Sequence, residues 1–209
     1  MATCLYNLDM EEKNKTIIGI IVLAAGSSSR MGKSKQLIDI HGETLLSKSV
    51  HTALESKSKN IVVVLGAREA EHRAVIKNFP VSIQYNPHWE KGMGSSLKAG
   101  LHFLMSGEPG LDAVMVMVCD QPLLTSAHLN ALIDRYQATR MPVIASSYAG
   151  AMGVPALFDR SQFTELNSLD DRHGAKKIID SGKEFTDSID FPGGSIDLDT
   201  PDDVKRFLQ

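Results

Sequence analysis

Four short β-branched runs, set between longer segments of helical period, constrain this chain more than anything else in it. The runs are Ile17–Leu23, Ile61–Leu65, Val114–Cys119 and Val143–Ser146; the helical segments are Glu43–Ser56, Arg68–Asn78, Ser95–Met105 and Ser126–Ala138. A parallel strand pair needs a crossover, and a crossover helix covers one face of the sheet, so this alternation predicts an α/β fold with a largely parallel sheet. The first, second and fourth runs are continuously apolar, as strands covered on both faces should be. Val81–Tyr85 and Val154–Phe158 are weaker strand candidates, and Pro155 predicts an edge or irregular position for the second. With 209 residues, 43% of them hydrophobic, the chain has material for one sizeable core. We expect a polar tail over residues 1–15 and a single domain over 16–209.

In open α/β sheets ligands bind beyond the carboxyl ends of the strands, so the loop after the first run is the first place to look. It reads Leu23-Ala24-Ala25-Gly26-Ser27-Ser28-Ser29-Arg30-Met31-Gly32-Lys33-Ser34-Lys35. Gly32-Lys33-Ser34 imitates a P-loop, but five residues separate Gly26 from Gly32 where that motif has four, and Lys33 becomes a bystander. The dinucleotide fingerprint fails as well, because position 28 is serine where its second glycine belongs. What remains is a hydroxyl-rich turn with two cations. Gly26 and the serines offer amides and hydroxyls to phosphate oxygens, Arg30 offers a planar fork and Lys35 a point charge. A triphosphate suits that array; the plainer alternative is a glycine turn with solvated charges.

Net charge supports a local site. At −3 the chain has no global basic field, so neither nucleic acid nor an anionic membrane surface is an expected partner. The longest apolar stretch, Ile17 to Ala25, falls far short of the ~20 residues that span a bilayer, and the amino-terminal segment lacks a signal-peptide pattern. Cys4 and Cys119 lie in contexts too different to suggest a disulfide, which fits a reducing, cytoplasmic setting.

Further along, Asp120 ends the third run, which sets a carboxylate at the carboxyl end of a central strand. Magnesium prefers hard oxygen donors and is usually held by one or two carboxylates plus phosphate oxygens, so Asp120 is a candidate ligand; otherwise it caps the turn made with Gln121-Pro122. Gly92-Met93-Gly94-Ser95-Ser96 opens a helical segment whose amides suit an anion or ribose, with Ser95 as polar contact, and serine capping explains the same residues. Thr200-Pro201-Asp202-Asp203 is a helix start on capping grounds alone. Trp89 reads as a packing anchor, and the seven histidines show no metal-ligand spacing and read as surface or incidental.

The pattern Leu23-Ala24-Ala25-Gly26-x-Ser28-x-Arg30-Met31-Gly32-x-x-Lys35 resembles the signature of nucleotidyltransferases related to molybdopterin-guanine dinucleotide synthase, most closely their molybdenum cofactor cytidylyltransferase branch. Asn86-Pro87-x-Trp89-x-x-Gly92-Met93-Gly94-Ser95-Ser96, Asp120-Gln121-Pro122-Leu123, Gly153-x-Pro155-x-Leu157-Phe158 and Asp197-x-Asp199-Thr200-Pro201 follow in the family's order. The resemblance implies a three-layer α/β/α, Rossmann-like domain with a mostly parallel, mixed sheet. It implies Mg²⁺, held by Asp120 and Asp199, and transfer of CMP from CTP to the terminal phosphate of molybdopterin with release of pyrophosphate. Leu23, Ala24, Ala25, Gly26, Ser28, Arg30, Lys35, Gly94 and Ser95 become the expected nucleotide contacts, and Arg30, Lys35 and Asp120 the catalytic set. A phosphate monoester is already an anionic nucleophile near neutral pH, so this chemistry needs alignment and charge neutralisation rather than a general base.

Ala25 stands where GTP-using relatives commonly have glycine, which favours CTP. Asp171-Arg172-His173-Gly174-Ala175-Lys176 departs from the cytidylyl branch's Gly-Asp-x-Gly-Ala-Arg, at a place tied to acceptor recognition. Cys119 replaces a common glycine; it reads as a small buried residue, or as a redox-sensitive neighbour of the metal. Two other functions stay compatible with the resemblance: a GTP- or sugar-phosphate-using nucleotidyltransferase of the same fold, and a non-catalytic accessory protein that delivers molybdenum cofactor to a hydroxylase of the xanthine dehydrogenase type.

Overall fold

The computed structural model describes residues 16–28, 34–198 and 200–208. The tail over 1–15 and the expected site residues Arg30 and Asp199, together with Lys33, lie outside the described residues.

Each apolar run becomes a strand of one sheet. In chain order the strands are β1 (Ile18–Ala24), the short hairpin pair β2 (Asp39–Ile40) and β3 (Glu43–Thr44), β4 (Asn60–Leu65), β5 (Ser82–Tyr85), β6 (Ala113–Val118), β7 (Val143–Tyr148), β8 (Ala151–Asp159) and β9 (Thr186–Asp190). The helices are α1 (Leu45–Leu54), α2 (Glu69–Ile76), α3 (Met93–Gly107), α4 (Ser126–Thr139), α5 (Phe163–Asn167), α6 (Lys176–Ser181) and α7 (Pro201–Phe207). The seven-stranded sheet has the order β5-β4-β1-β6-β8-β7-β9. Only β8 runs against its neighbours, pairing antiparallel with β6 and β7, so the sheet is mixed but mostly parallel.

Alternation along β1 explains the three layers. Ile20 and Val22 point to one face, where α1, α2 and α4 contribute Leu46, Val50, Ile76, Leu129 and Tyr136. Ile21 and Leu23 point to the other, covered by Leu97 and Leu101 of α3, Leu166 of α5 and Ile178 of α6. Helix α3 sits close because Gly100 faces the sheet: a Cβ there would lie 2.7 Å from Ile21 Cγ2 and 2.9 Å from Val64 Cγ2.

One expectation holds in one of its two forms, and another needs correction. Strand β8 is interior rather than an edge, and Pro155 takes the irregular position that was the other alternative. Its pairing with β7 shifts between Ala145 and Ser146, and Pro155 falls within that irregularity, where a missing N–H removes no ladder bond. The histidines are not all superficial: His72 is wholly buried and His128 stacks on Phe191 at 4.5 Å between ring centroids. The helix start at Thr200 is present, with a reciprocal capping box between Thr200 and Asp203.

Candidate active site

Adjacent parallel strands release their following loops side by side, and β1 and β6 are such a pair, with Leu23 level with Val118. From β1 the chain continues through Ala25 and Gly26 into the glycine-serine loop; from β6 it continues into Cys119 and Asp120. The far side of the loop returns through a short 3-10 turn, Lys35–Leu37. Lys35 Nζ then lies 2.5 Å from Asp120 Oδ2, with both side chains about a fifth exposed. A cation and a carboxylate thus meet where the central strands end, open on one side to solvent.

A cavity of about 340 Å³ opens beside this pair. Its first wall is Leu23, Ala25, Gly26 and Ser27; its second is Val118, Cys119 and Asp120; its third is Trp89, Glu90, Gly92, Met93 and Ser96, at the entry to α3. Gly66 lets the third wall approach, since a Cβ there would lie 2.5 Å from Trp89 Cβ and 2.7 Å from the Ala25 carbonyl oxygen. A roomier groove of about 520 Å³, lined by Lys59, Phe79 and Phe103 among others, lies away from the Lys35–Asp120 pair.

The loop is held by a buried glutamine. Gln36 Nε2 donates to the Gly26 carbonyl at 3.0 Å and, more weakly, to that of Ala24 at 3.4 Å. Its Oε1 accepts from Ser28 Oγ at 2.9 Å and from Ser34 Oγ at 2.8 Å. The Lys35 amide donates to Ser28 Oγ at 3.0 Å, so Ser28 fixes the backbone of the lysine that reaches Asp120.

Leu23, Ala25, Gly26, Lys35 and Asp120 therefore gather at one cavity. Ala24 is buried beneath it, and Ser28 braces the loop. Gly94 and Ser95 sit at the entry to α3, beside that cavity and outside its lining. The Gly94 amide donates to the Asp171 carbonyl, and a Cβ at Gly94 would lie 2.5 Å from the Asp170 oxygen, so this glycine admits the 170–174 loop. Ser95 is buried, donates to the carbonyls of His88 and Gly92, and accepts from Asn86 Nδ2. Gln36 carries no sequence signal beyond its place beside Lys35, and Trp89, a packing anchor by its sequence context, packs on Gly66 and also lines the cavity.

The field at the site is mixed. Burial first, then the Asp120 charge, push the Cys119 thiol up to about 12, against a smaller opposing effect of Lys35. Cys119 is thus a buried thiol and not a reactive thiolate. Burial also raises the Tyr148 phenol, with the charges of Asp197 and Asp120 acting the same way and a hydrogen bond with Gln121 opposing them. The Leu198 amide donates to the Asp120 carbonyl at 3.2 Å, bringing the segment that leads to α7 against β6.

The donor chemistry here fits magnesium: an accessible carboxylate beside a cavity lined by backbone of a glycine-serine loop leaves room for phosphate oxygens to complete a hard-oxygen set. Among the described residues no group of three or more His, Cys, Asp or Glu side chains is placed to hold a metal ion.

The molecule is a three-layer α/β/α protein whose central strands end at the Lys35–Asp120 ion pair and the adjoining cavity. The chain belongs to the family described as the MobA-like NTP transferase domain, whose profile matches residues 20–185. It is 31% identical to the purine catabolism protein PucB of Bacillus subtilis over 92% of this chain and 97% of that protein. It is 27% identical to nicotine blue oxidoreductase of Paenarthrobacter nicotinovorans, over 90% and 95%. Identity to the molybdenum cofactor cytidylyltransferase of Escherichia coli is 25%, over 89% and 93%. The crystal structure of Rv0371c from Mycobacterium tuberculosis superposes with a TM-score of 0.79 at 29% identity, covering 92% of this chain and 98% of that one. A manganese complex of the same protein superposes at 0.76. Among the described residues no helix is long and apolar enough to cross a membrane.

Proposed function

We propose that the protein is a magnesium-dependent cytidylyltransferase that moves CMP from CTP to the terminal phosphate of a molybdopterin-type acceptor. The observation that carries this reading is the Lys35–Asp120 pair at the carboxyl ends of β1 and β6, beside a cavity walled by the glycine-serine loop. Lys35 neutralises charge on the triphosphate, and Arg30 does so from the same loop. Asp120, with Asp199, would hold the metal, which would supply charge neutralisation at the phosphoryl group in transfer. The loop amides near Gly26 orient the phosphates, and Ala25 and the Trp89 wall bound the space left for the base. The acceptor phosphate is itself the nucleophile, so alignment is the main task of the chain. A relative named as a molybdenum cofactor cytidylyltransferase and a manganese complex of a related fold support the reading.

The 31% identity to a purine catabolism protein, above the 25% to the cytidylyltransferase, favours a second reading. In it, the chain binds molybdenum cofactor and serves a xanthine-oxidising hydroxylase without nucleotidyl transfer. Mass spectrometry of products after incubation with molybdenum cofactor, Mg²⁺ and a mixture of nucleoside triphosphates separates the two. A cytidine dinucleotide with pyrophosphate release is expected; a guanosine product moves the base assignment to GTP. Cofactor binding without any dinucleotide overturns the catalytic reading in favour of the accessory one.

A further inference from the structure

His72 lies on α2, outside the cavity lining, yet it is wholly buried, and its Nδ1 has no hydrogen-bond partner among the described residues. Its other nitrogen, Nε2, lies 2.6 Å from Ser34 Oγ. Ser34 Oγ in turn lies 2.8 Å from Gln36 Oε1.

Counting hydrogens fixes the direction of this chain. Gln36 must present its nitrogen to the carbonyls of Gly26 and Ala24, since the reverse orientation would set carbonyl oxygens face to face. Gln36 Oε1 then faces the hydroxyls and accepts from both. Ser34 has one hydrogen and gives it to Gln36, so it accepts from His72, whose proton therefore sits on Nε2. The opposite tautomer would leave Ser34 Oγ and Gln36 Oε1 as two acceptors in contact and bury an unpaired N–H at Nδ1. Burial, the largest effect on the ring, disfavours its doubly protonated form.

We propose that His72 is a positioning residue for the phosphate loop: through Ser34 and Gln36 it anchors both ends of that loop and so holds the Lys35 backbone where its side chain meets Asp120. The route is continuous. His72 donates to Ser34, Ser34 and Ser28 donate to Gln36, and the Lys35 amide donates to Ser28. Helix α2 packs on the sheet through Ile76, so the anchor is tied to the core rather than to another loop. The bare Nδ1 is the local cost of aiming Nε2 at Ser34.

The inference that this anchor serves nucleotide binding rests on the function proposed above, and the test separates the two. Amide hydrogen exchange at Lys35 needs no ligand and reads the anchor directly. In His72→Leu it should accelerate about tenfold or more; in His72→Gln, whose amide nitrogen reaches the place of Nε2, it should stay within about threefold of the parent. The dissociation constant for CTP with Mg²⁺, read from the single tryptophan, Trp89, on the cavity wall, should rise about tenfold in His72→Leu and be rescued in His72→Gln. KM for CTP should rise with it while kcat at saturation changes by less than about threefold. If His72→Leu does not fold, Ser34→Ala breaks the same chain with the histidine retained, and the same exchange change is expected. Unchanged Lys35 exchange in folded His72→Leu or Ser34→Ala overturns the proposal, as does a His72→Gln variant no better than His72→Leu. A parent protein that does not bind CTP sinks the cytidylyltransferase reading, while the exchange measurement still decides the anchor.

Discussion

Lys35 Nζ and Asp120 Oδ2 lie 2.5 Å apart although 85 residues separate them in the chain. The contact exists because β1 and β6 are neighbours and the loop after β1 is folded back over Gln36. Asp120→Asn keeps the size and a hydrogen-bonding oxygen but removes the charge a metal needs. Turnover should fall by at least about 100-fold with the circular dichroism spectrum intact. Lys35→Met should instead raise KM for the nucleotide by about tenfold or more, because under the proposed function it removes a charge-assisted contact to phosphate. Activity retained in Asp120→Asn would remove its assigned metal role.

Gly94 gives a stability prediction. A Cβ added there would lie 2.5 Å from the carbonyl oxygen of Asp170 and 2.6 Å from that of His173, and neither is the end of a flexible side chain. Gly94→Ala should therefore destabilise the protein by about 1–3 kcal/mol in urea denaturation without ligand. A neutral effect would mean that the 170–174 loop yields easily, and would return Gly94 to the list of ligand-facing amides.

For Cys119 the expected result is inertness. Burial and the neighbouring Asp120 charge raise its thiol to about 12, so little thiolate exists at pH 8. In a Cys4→Ser background, iodoacetamide should modify native protein at pH 8 at least about 100-fold more slowly than unfolded protein, read by intact mass. Rapid native modification would restore the redox-sensitive alternative.

The central strands were legible because strands covered on both faces must be apolar throughout, and the runs Ile17–Leu23 and Ile61–Leu65, which become β1 and β4, are unbroken. Strand β9 was not, because Thr186–Asp190 is a half-exposed edge with mostly polar residues. Pro155 signalled an edge or an irregularity and could not choose between them, since a bulge inside a sheet satisfies a proline as well as an edge does. At the site, Lys35 and Asp120 were legible from their positions after strands. The role of Gly94 was not, because the loop that occupies its amide comes from residues 170–174, about as far along the chain as sequence spacing is uninformative. His72 did carry a signal: it precedes Ile76 by one helical turn, and that face of α2 is the buried one.

Acid sensitivity follows from the two inward histidines. Burial lowers His72 below 6.5, with Arg68 acting the same way and Glu71 and Glu69 opposing, and Ser34 facing it from the loop. Burial likewise lowers His128, whose Nε2 faces Ser146 Oγ at 2.8 Å. A histidine that is harder to protonate folded than unfolded gives the unfolded chain the extra proton, so stability is complete above 6.5 and declines as pH falls below it. The slope is at most about 1.4 kcal/mol per pH unit for each histidine. The carboxylate of Asp159, lowered from 3.8 by its bonds from Tyr136 and Ser161 despite burial, withdraws its contribution only below that value, so the two windows are separate. Urea midpoints between pH 5 and 7.5 should fall with acidification in the parent, less in His72→Gln, and least in His72→Gln combined with His128→Gln. Equal slopes in all three would show that neither buried imidazole resists protonation in the folded chain.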